Sequence, residues 1–159
     1  MNERPNKNTR TTCVLLCVLS TLSVVGCSST QKSNPPFASV IIVGNTPGQI
    51  RNAAVAVFGN DGYQVINSNP SSLVFEKKGT SFDNFAYGGW LGDEGVWIRV
   101  KGAIVPAGEM TFRLECSAYR VLDRNGSVEE ENAVGRSGRK PYQKLLDKVA
   151  QRLNTKPPA

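Results

Sequence analysis

The sequence predicts an α+β domain in which two helices cover one face of a single antiparallel sheet. Two segments have the apolar spacing of amphipathic helices, and several others have the alternation or the β-branched content of strands. The two longest strand segments alternate apolar with polar side chains, which is typical of a sheet covered on one side only. The helices must bury their apolar faces, so we expect a two-layer domain in the order β-α-β-β-β-β-α.

The first predicted elements are a strand and a well-capped helix. Ala38–Val43 is dominated by β-branched residues and predicts a mostly buried strand. Thr46, Pro47 and Gln49 have the pattern of a capping box with proline in the first turn, so a helix begins there. Its apolar face recurs at helical spacing and consists of Ile50, Ala53, Ala54, Val57 and Phe58.

Four further segments predict the remaining strands, at residues 63–67, 73–78, 96–104 and 110–121. We expect a turn at residues 106–109 between the last two, and a second turn at 123–126 with Asn125-Gly126 at its centre. Residues 127–134 are compatible with one more strand, but three consecutive glutamates leave this open. The segment 96–104 has the polar face Trp97, Arg99 and Lys101, and the segment 110–121 has Arg113, Glu115, Ser117 and Tyr119.

The second helix is predicted over residues 141–153. Pro141 suits its first turn. Its apolar stripe consists of Tyr142, Leu145, Leu146, Val149 and Leu153. The stripe packs on the sheet or, as the alternative, meets a coiled-coil partner.

Residues 1–26 have the features of an export leader. Arg4, Lys7 and Arg10 are offset only by Glu3, and no charge occurs from Cys13 to Gly26. This run has the length of a signal-peptide apolar region and is shorter than the roughly 20 residues that a spanning helix needs. An uncleaved anchor helix is the alternative.

The run Val24-Val25-Gly26-Cys27 resembles the lipobox of bacterial lipoproteins. The resemblance implies cleavage after Gly26 and a lipid anchor on Cys27, with a diacylglyceryl group on its sulfur and an acyl chain such as palmitate on the new amino terminus. Ser28 stands where family members kept at the inner membrane carry aspartate, which favours the outer membrane. The processed chain would then have a flexible polar tether at 27–36, one domain at 37–154 and a tail at 155–159. The element order is also similar to the helix-grip-type domains of envelope lipoproteins, including that of the assembly lipoprotein BamC.

The residue inventory argues against catalysis. The chain contains no histidine, which removes Ser-His and Cys-His nucleophiles and the usual zinc sites. Cys13 and Cys17 leave with the leader, so Cys116 has no disulfide partner within the chain, and its alternation with apolar residues places it in the core. We expect no enzyme activity, no metal and no cofactor. A hydrolase of glycan that uses carboxylates alone is the weakest alternative.

The candidate partner contacts are aromatic. A glycine-rich segment at 79–95 is too long for a tight hairpin, and long loops are functional or mobile. We expect the contacts to include Phe82, Phe85, Tyr87 and Trp90 from this loop and Trp97 from the polar sheet face, because aromatic anchors dominate interface energetics. The loop aromatics could instead fold back over the open sheet edge. A basic run at 135–140 is either a phosphate contact or a solvated loop.

These observations predict a non-catalytic, lipid-anchored envelope protein that faces the periplasm and binds another envelope protein. The alternative is a periplasmic carrier that holds a small amphiphile or lipid between sheet and helix. Nucleic acid is not an expected partner, because no stripe of interleaved arginine and aromatic residues occurs. The net positive charge suits anionic lipids, lipopolysaccharide or glycan, or serves solubility alone.

Overall fold

The computed structural model describes residues 35–81, 83 and 95–155, and it confirms the predicted α+β fold. One antiparallel sheet of six strands carries two helices on one face. The elements are β1 (Ala38–Val43), α1 (Pro47–Asn60), β2 (Gln64–Ser68), β3 (Ser72–Lys78), β4 (Trp97–Gly108), β5 (Thr111–Leu122), β6 (Glu130–Ala133), a short 3₁₀ turn (Arg136–Gly138) and α2 (Lys140–Thr155). All of them belong to one compact unit, Pro35–Ala159.

The sheet has the order β1-β5-β4-β3-β2, with β6 also paired to β5. Two strands share one edge of β5, since β1 pairs with residues 111–116 and β6 with residues 119–122. The β4–β5 hairpin forms the centre of the sheet. The outer strands are therefore β1 and β6 on one side and β2 on the other.

The core lies between the sheet and the helices, where the predicted apolar stripes meet. All five predicted apolar residues of α1 are buried, and in α2 only Leu153 of its stripe is partly exposed. Phe58 of α1 stacks on Phe75 of β3 with their ring centroids 4.4 Å apart. The capping box at Thr46 is present in full, with Gln49 bonded back to the cap. Because α2 packs on the sheet, its apolar stripe is buried within the chain.

The turn between β4 and β5 is shorter than predicted. We expected a turn at residues 106–109, but β4 continues to Gly108 and the turn narrows to Glu109 and Met110. Pro106 pairs with Phe112, and the register shifts between Pro106 and Gly108. This irregularity accommodates the proline, since proline in sheets is confined to edges and bulges.

The turn after β5 also differs from its prediction. The Gly126 N–H donates to the Asp123 carbonyl, so Arg124 and Asn125 are the central residues, and not Asn125-Gly126. Asn125 adopts a left-handed φ of 61°, which asparagine tolerates better than most residues. A β-carbon on Gly126 would lie 2.0 Å from the Asp123 carboxylate, so any other residue there would displace the Asp123 side chain. The strand left open over residues 127–134 exists as β6.

Several predicted features lie outside the described residues. They are the lipobox with Cys27, residues 27–34 of the tether, the aromatic residues Phe82, Phe85, Tyr87 and Trp90, and the tail from residue 156. Within the described part of the chain, neither helix combines the length and the apolar character that a membrane span requires.

Candidate functional site on the open sheet face

The face of the sheet turned away from the helices, here called the open face, carries the predicted polar residues. Cross-strand register places Glu76, Arg99 and Tyr119 in one row across β3, β4 and β5. Lys101 lies in the next row, beside Val74 and Ser117. The alternation of β4 and β5 thus predicted correctly which side chains share this face.

A buried carboxylate lies on the open face, on β3. Glu76 is only 1% exposed. Its Oε1 accepts a hydrogen bond from Arg99 Nε at 2.5 Å, and its Oε2 accepts one from Arg124 Nε at 2.7 Å. Arg99 lies directly across on β4, whereas Arg124 comes from the turn after β5. Each carboxylate oxygen therefore has its own cationic donor, which offsets the cost of removing the charge from water.

Arg99 also holds two glutamates of the chain segment around β6. Its Nη1 donates to Glu129 Oε1 at 2.6 Å and to Glu131 Oε1 at 2.5 Å. Lys101 Nζ donates to Glu131 Oε2 at 2.5 Å. Because Glu129 and Glu131 are two residues apart in extended chain, both reach the same face. The acidic run that made this strand uncertain is thus matched by cations from β4.

Together these side chains form the ionic cluster, which contains three cations and three carboxylates: Glu76, Arg99, Lys101, Arg124, Glu129 and Glu131. The hydrogen bond from Arg99 lowers the pKa of Glu129 below its ordinary value of 4.5, and the Asn125 N–H adds to this. The bond from Lys101 lowers the pKa of Glu131. The bond to Glu129 is the largest cause that raises the pKa of Arg99. Arg99 and these two glutamates are therefore charged at neutral pH.

Trp97, the one predicted aromatic contact among the described residues, lies beside this cluster. It is partly buried, and the Arg124 guanidinium carbon stands 4.2 Å from its ring centroid. Its indole N–H is buried and has no acceptor among the described residues. One face of the ring is therefore occupied by Arg124, so Trp97 offers a partner less surface than the sequence predicts.

The part of the open face next to β1 has no such cover. Ile41 is 53% exposed and Val43 is 64% exposed. At the adjoining β4–β5 turn, Met110 is 52% exposed, and its carbonyl accepts a hydrogen bond from the Gly44 N–H at 2.8 Å. We call Ile41, Val43 and Met110 the apolar margin. Large apolar side chains grouped at a sheet edge are typical of interaction surfaces.

The outer edge of β1 is capped at two points. The Gln143 side chain of α2 donates from Nε2 to the Ser39 carbonyl at 2.9 Å and accepts from the Ser39 N–H at 3.3 Å, as a neighbouring strand would. Asn45 Nδ2 donates to the Val43 carbonyl at 3.1 Å. Between these caps, no described element pairs with the outer backbone edge at Ile41. A short strand edge is therefore left open beside exposed apolar side chains.

A depression of about 230 Å³ lies on the open face, over β4 and β5. Its lining combines a cation, a carboxylate and an aromatic ring, from Lys101, Glu115 and Tyr119, with Pro36 at its rim. Lys101 Nζ stands 4.8 Å from the Tyr119 ring centroid. Arg113 pairs with Glu115 at 2.8 Å, and both side chains are partly exposed.

Cys116 is a buried core residue, and the carboxylates of the ionic cluster face cations. Burial raises the pKa of the Cys116 thiol to about 12, so the sulfur is a protonated core group. Among the described residues, no three histidine, cysteine, aspartate or glutamate side chains are placed to hold a metal ion. The carboxylates of the ionic cluster converge on arginine and lysine.

Comparison of the chain with models of protein families, with curated proteins and with solved structures gives no match.

Sequence reasoning identified Arg99, Lys101 and Tyr119 on the open face, but it missed Glu76, Arg124 and the role of the Glu129–Glu131 run. One signal was available. Glu76 follows the apolar alternation of Leu73 and Phe75, so it belongs to the face opposite the core, where Arg99 also points. Nothing local indicates that Arg124, 48 residues further along the chain, buries Glu76.

Proposed function

We propose that this protein is a non-catalytic, lipid-anchored envelope protein that binds another envelope protein through the open face of its sheet. The run Val24-Val25-Gly26-Cys27 supports the anchor, and Ser28 favours the outer membrane over the inner one, with the domain facing the periplasm. One observation carries the binding function. The apolar margin and the open strand edge at Ile41 lie together on a face that neither helix covers.

The physical basis is the cost of leaving such an edge exposed. Natural sheets cover or charge their edges, because unpaired N–H and C=O groups template pairing with another chain. Gln143 and Asn45 cap the two ends of β1, which limits the open stretch to the backbone around Ile41. An extended partner segment placed there would gain backbone hydrogen bonds and cover Ile41 and Val43. A short, selective contact is therefore favoured over unrestricted aggregation.

The ionic cluster has a different part in this proposal. Its charges are matched within the chain, so it holds β6 and the turn after β5 against the sheet. The aromatic residues Phe82, Phe85, Tyr87 and Trp90 remain predicted contacts. The depression lies on the open face and not between sheet and helices, so it does not favour a carrier that holds lipid between the layers.

The anchor is tested by the intact mass of the full-length chain in a bacterial membrane fraction, beside Cys27→Ala. We expect a product that starts at Cys27 and carries added acyl mass, and we expect the variant to lack that mass. An unmodified product that retains Met1 contradicts the anchor.

The contact surface is tested by site-specific photo-crosslinking in intact cells. A photoreactive residue replaces Ile41 in one variant and Asn52, an exposed residue of α1, in the matched control. We expect a discrete covalent adduct with one envelope protein from position 41 and none from position 52. Adducts from position 52 without any from position 41 would overturn the assignment of the open face.

A further inference from the structure

The outer surface of α2 carries a straight row of cations. Lys140, Lys144 and Lys148 are all exposed and are spaced by four residues. This spacing places them one above the other over roughly 12 Å of helix. Like charges at this spacing destabilise a helix, so the row does not serve the fold. We call these three residues the lysine row.

The surroundings of the lysine row do not neutralise it. From Arg136 to Arg152 the chain has six cations and one carboxylate, Asp147, which accepts a hydrogen bond from Gln143 at 3.0 Å. Within the described residues, no lysine of the row forms an ion pair. The other helix, α1, contains Arg51 and no carboxylate. The helix layer is therefore positive, whereas the ionic cluster on the opposite side of the sheet is balanced.

The lysine row is also held in place. Leu145, Leu146 and Val149 of the same helix are buried to 4% exposure or less, which locks the helix on the core. The backbone positions of the three lysines are thereby fixed along one line. A partner that matches this line offers negative charge repeated over roughly 12 Å, and the headgroups of an anionic membrane have this property.

The start of the described domain lies beside the first turn of α2. The Phe37 ring contacts the Tyr142 ring with centroids 5.6 Å apart, and Ser39 bonds to Gln143. Nine residues lie between Cys27 and Phe37. A flexible tether of that length, as its composition predicts, spans about 17 Å. An acylated Cys27 would therefore keep the lysine row near the bilayer surface.

We propose that the lysine row lies on the anionic lipid headgroups of the membrane and orients the domain. This rests on the proposed anchor, which supplies the membrane. Since the helices cover one face of the sheet, seating the helix layer on the bilayer turns the open face away from the lipid. The two surfaces then act together, one on the membrane and one on the protein partner.

The test is vesicle binding by a chain that starts at Ser28 and therefore lacks the anchor. Every described contact lies within Pro35–Ala159, so this chain retains the whole core. The vesicles contain phosphatidylcholine alone or an equal mixture with phosphatidylglycerol, at low and at high salt. The variant carries Lys140→Gln, Lys144→Gln and Lys148→Gln. A matched control removes three cations from the open face through Lys78→Gln, Lys101→Gln and Arg113→Gln.

We expect the parent chain to bind the mixed vesicles at low salt only. The row variant should bind about 100-fold more weakly, because each lysine near an anionic surface strengthens binding about fivefold. The control should stay within about threefold of the parent, since its charges lie on the face of the sheet opposite the helices. The row variant should also unfold at the same urea concentration as the parent or a higher one.

Three results would overturn the proposal. In the first, the parent chain does not bind mixed vesicles. In the second, the row variant and the control lose vesicle affinity equally. In the third, high salt does not release the bound chain. If the parent chain does not bind vesicles but binds an acidic polymer through these lysines, the membrane assignment is also wrong. The chain lacks Cys27, so these outcomes are independent of acylation, which the intact-mass experiment tests separately.

Discussion

The ionic cluster and the lysine row place similar charges in opposite situations. In the cluster, three cations meet three carboxylates, with principal contacts at 2.5–2.7 Å, and Glu76 is removed from water. In the row, Lys140, Lys144 and Lys148 are exposed without a described carboxylate partner. Charges matched within a chain can hold its elements together, whereas unmatched charges add nothing to the fold and remain available to a partner. The two regions should therefore respond oppositely to the same kind of substitution.

The largest effect is expected from Glu76→Gln. The substitution leaves Arg99 and Arg124 facing a neutral group at a buried position, so the free energy of unfolding should fall on the order of 3 kcal/mol. Urea unfolding measures this. Glu115→Gln, in the partly exposed pair with Arg113, is the matched control and should cost less than about 1 kcal/mol. Equal losses of unfolding free energy in the two variants would show that the burial of Glu76 adds nothing to the effect of the substitution.

A smaller loss is expected from Arg124→Met. This variant removes one partner of Glu76 and the cation above Trp97, so about 1–2 kcal/mol of unfolding free energy should be lost. In a Trp90→Phe background, the remaining emission comes from Trp97 alone. We expect acrylamide to quench it more strongly in Arg124→Met than in the parent. Unchanged quenching would mean that Arg124 does not cover the ring.

The stability of the cluster should depend on acid pH. The pKa values of Glu129 and Glu131 are lowered in the folded state from an ordinary value of 4.5, so their contribution is present above that value. It should be lost as the pH falls through the lowered values. The urea midpoint should therefore decrease from about pH 5 downwards, by a modest amount because both side chains are partly exposed.

Lys101→Gln gives the control for this pH dependence. The bond from Lys101 is the largest cause of the lowered pKa of Glu131, so the acid-dependent loss of stability should be shallower in this variant. A slope identical to that of the parent would argue that Glu131 does not contribute.

The smallest effect, and the one of opposite sign, is expected from Lys144→Gln. This change relieves repulsion from Lys140 and Lys148 while keeping a good helix former, so the free energy of unfolding should rise by a few tenths of a kcal/mol. Urea unfolding at low salt measures it, and added salt should remove the gain. A clear loss of stability would reveal a partner for Lys144 within the chain.

Local patterns determined the elements of this fold. The capping box at Thr46, the apolar stripes of the two helices and the alternation of β4 and β5 each depend on residues only a few positions apart. Such patterns follow from the 3.6-residue and two-residue periods of helices and strands, so the sequence alone predicts these elements. They also placed Cys116 in the core and the polar residues of β4 and β5 on one face.

Tertiary structure alone decided which charges are matched. The burial of Glu76 needs Arg124, which is 48 residues away, and the strand at Glu130–Ala133 needs Arg99 and Lys101 opposite its acidic run. The turn that presents Arg124 also covers one face of Trp97, which the sequence had placed on an open surface. These outcomes depend on the register that brings distant strands together, and no local period encodes that register.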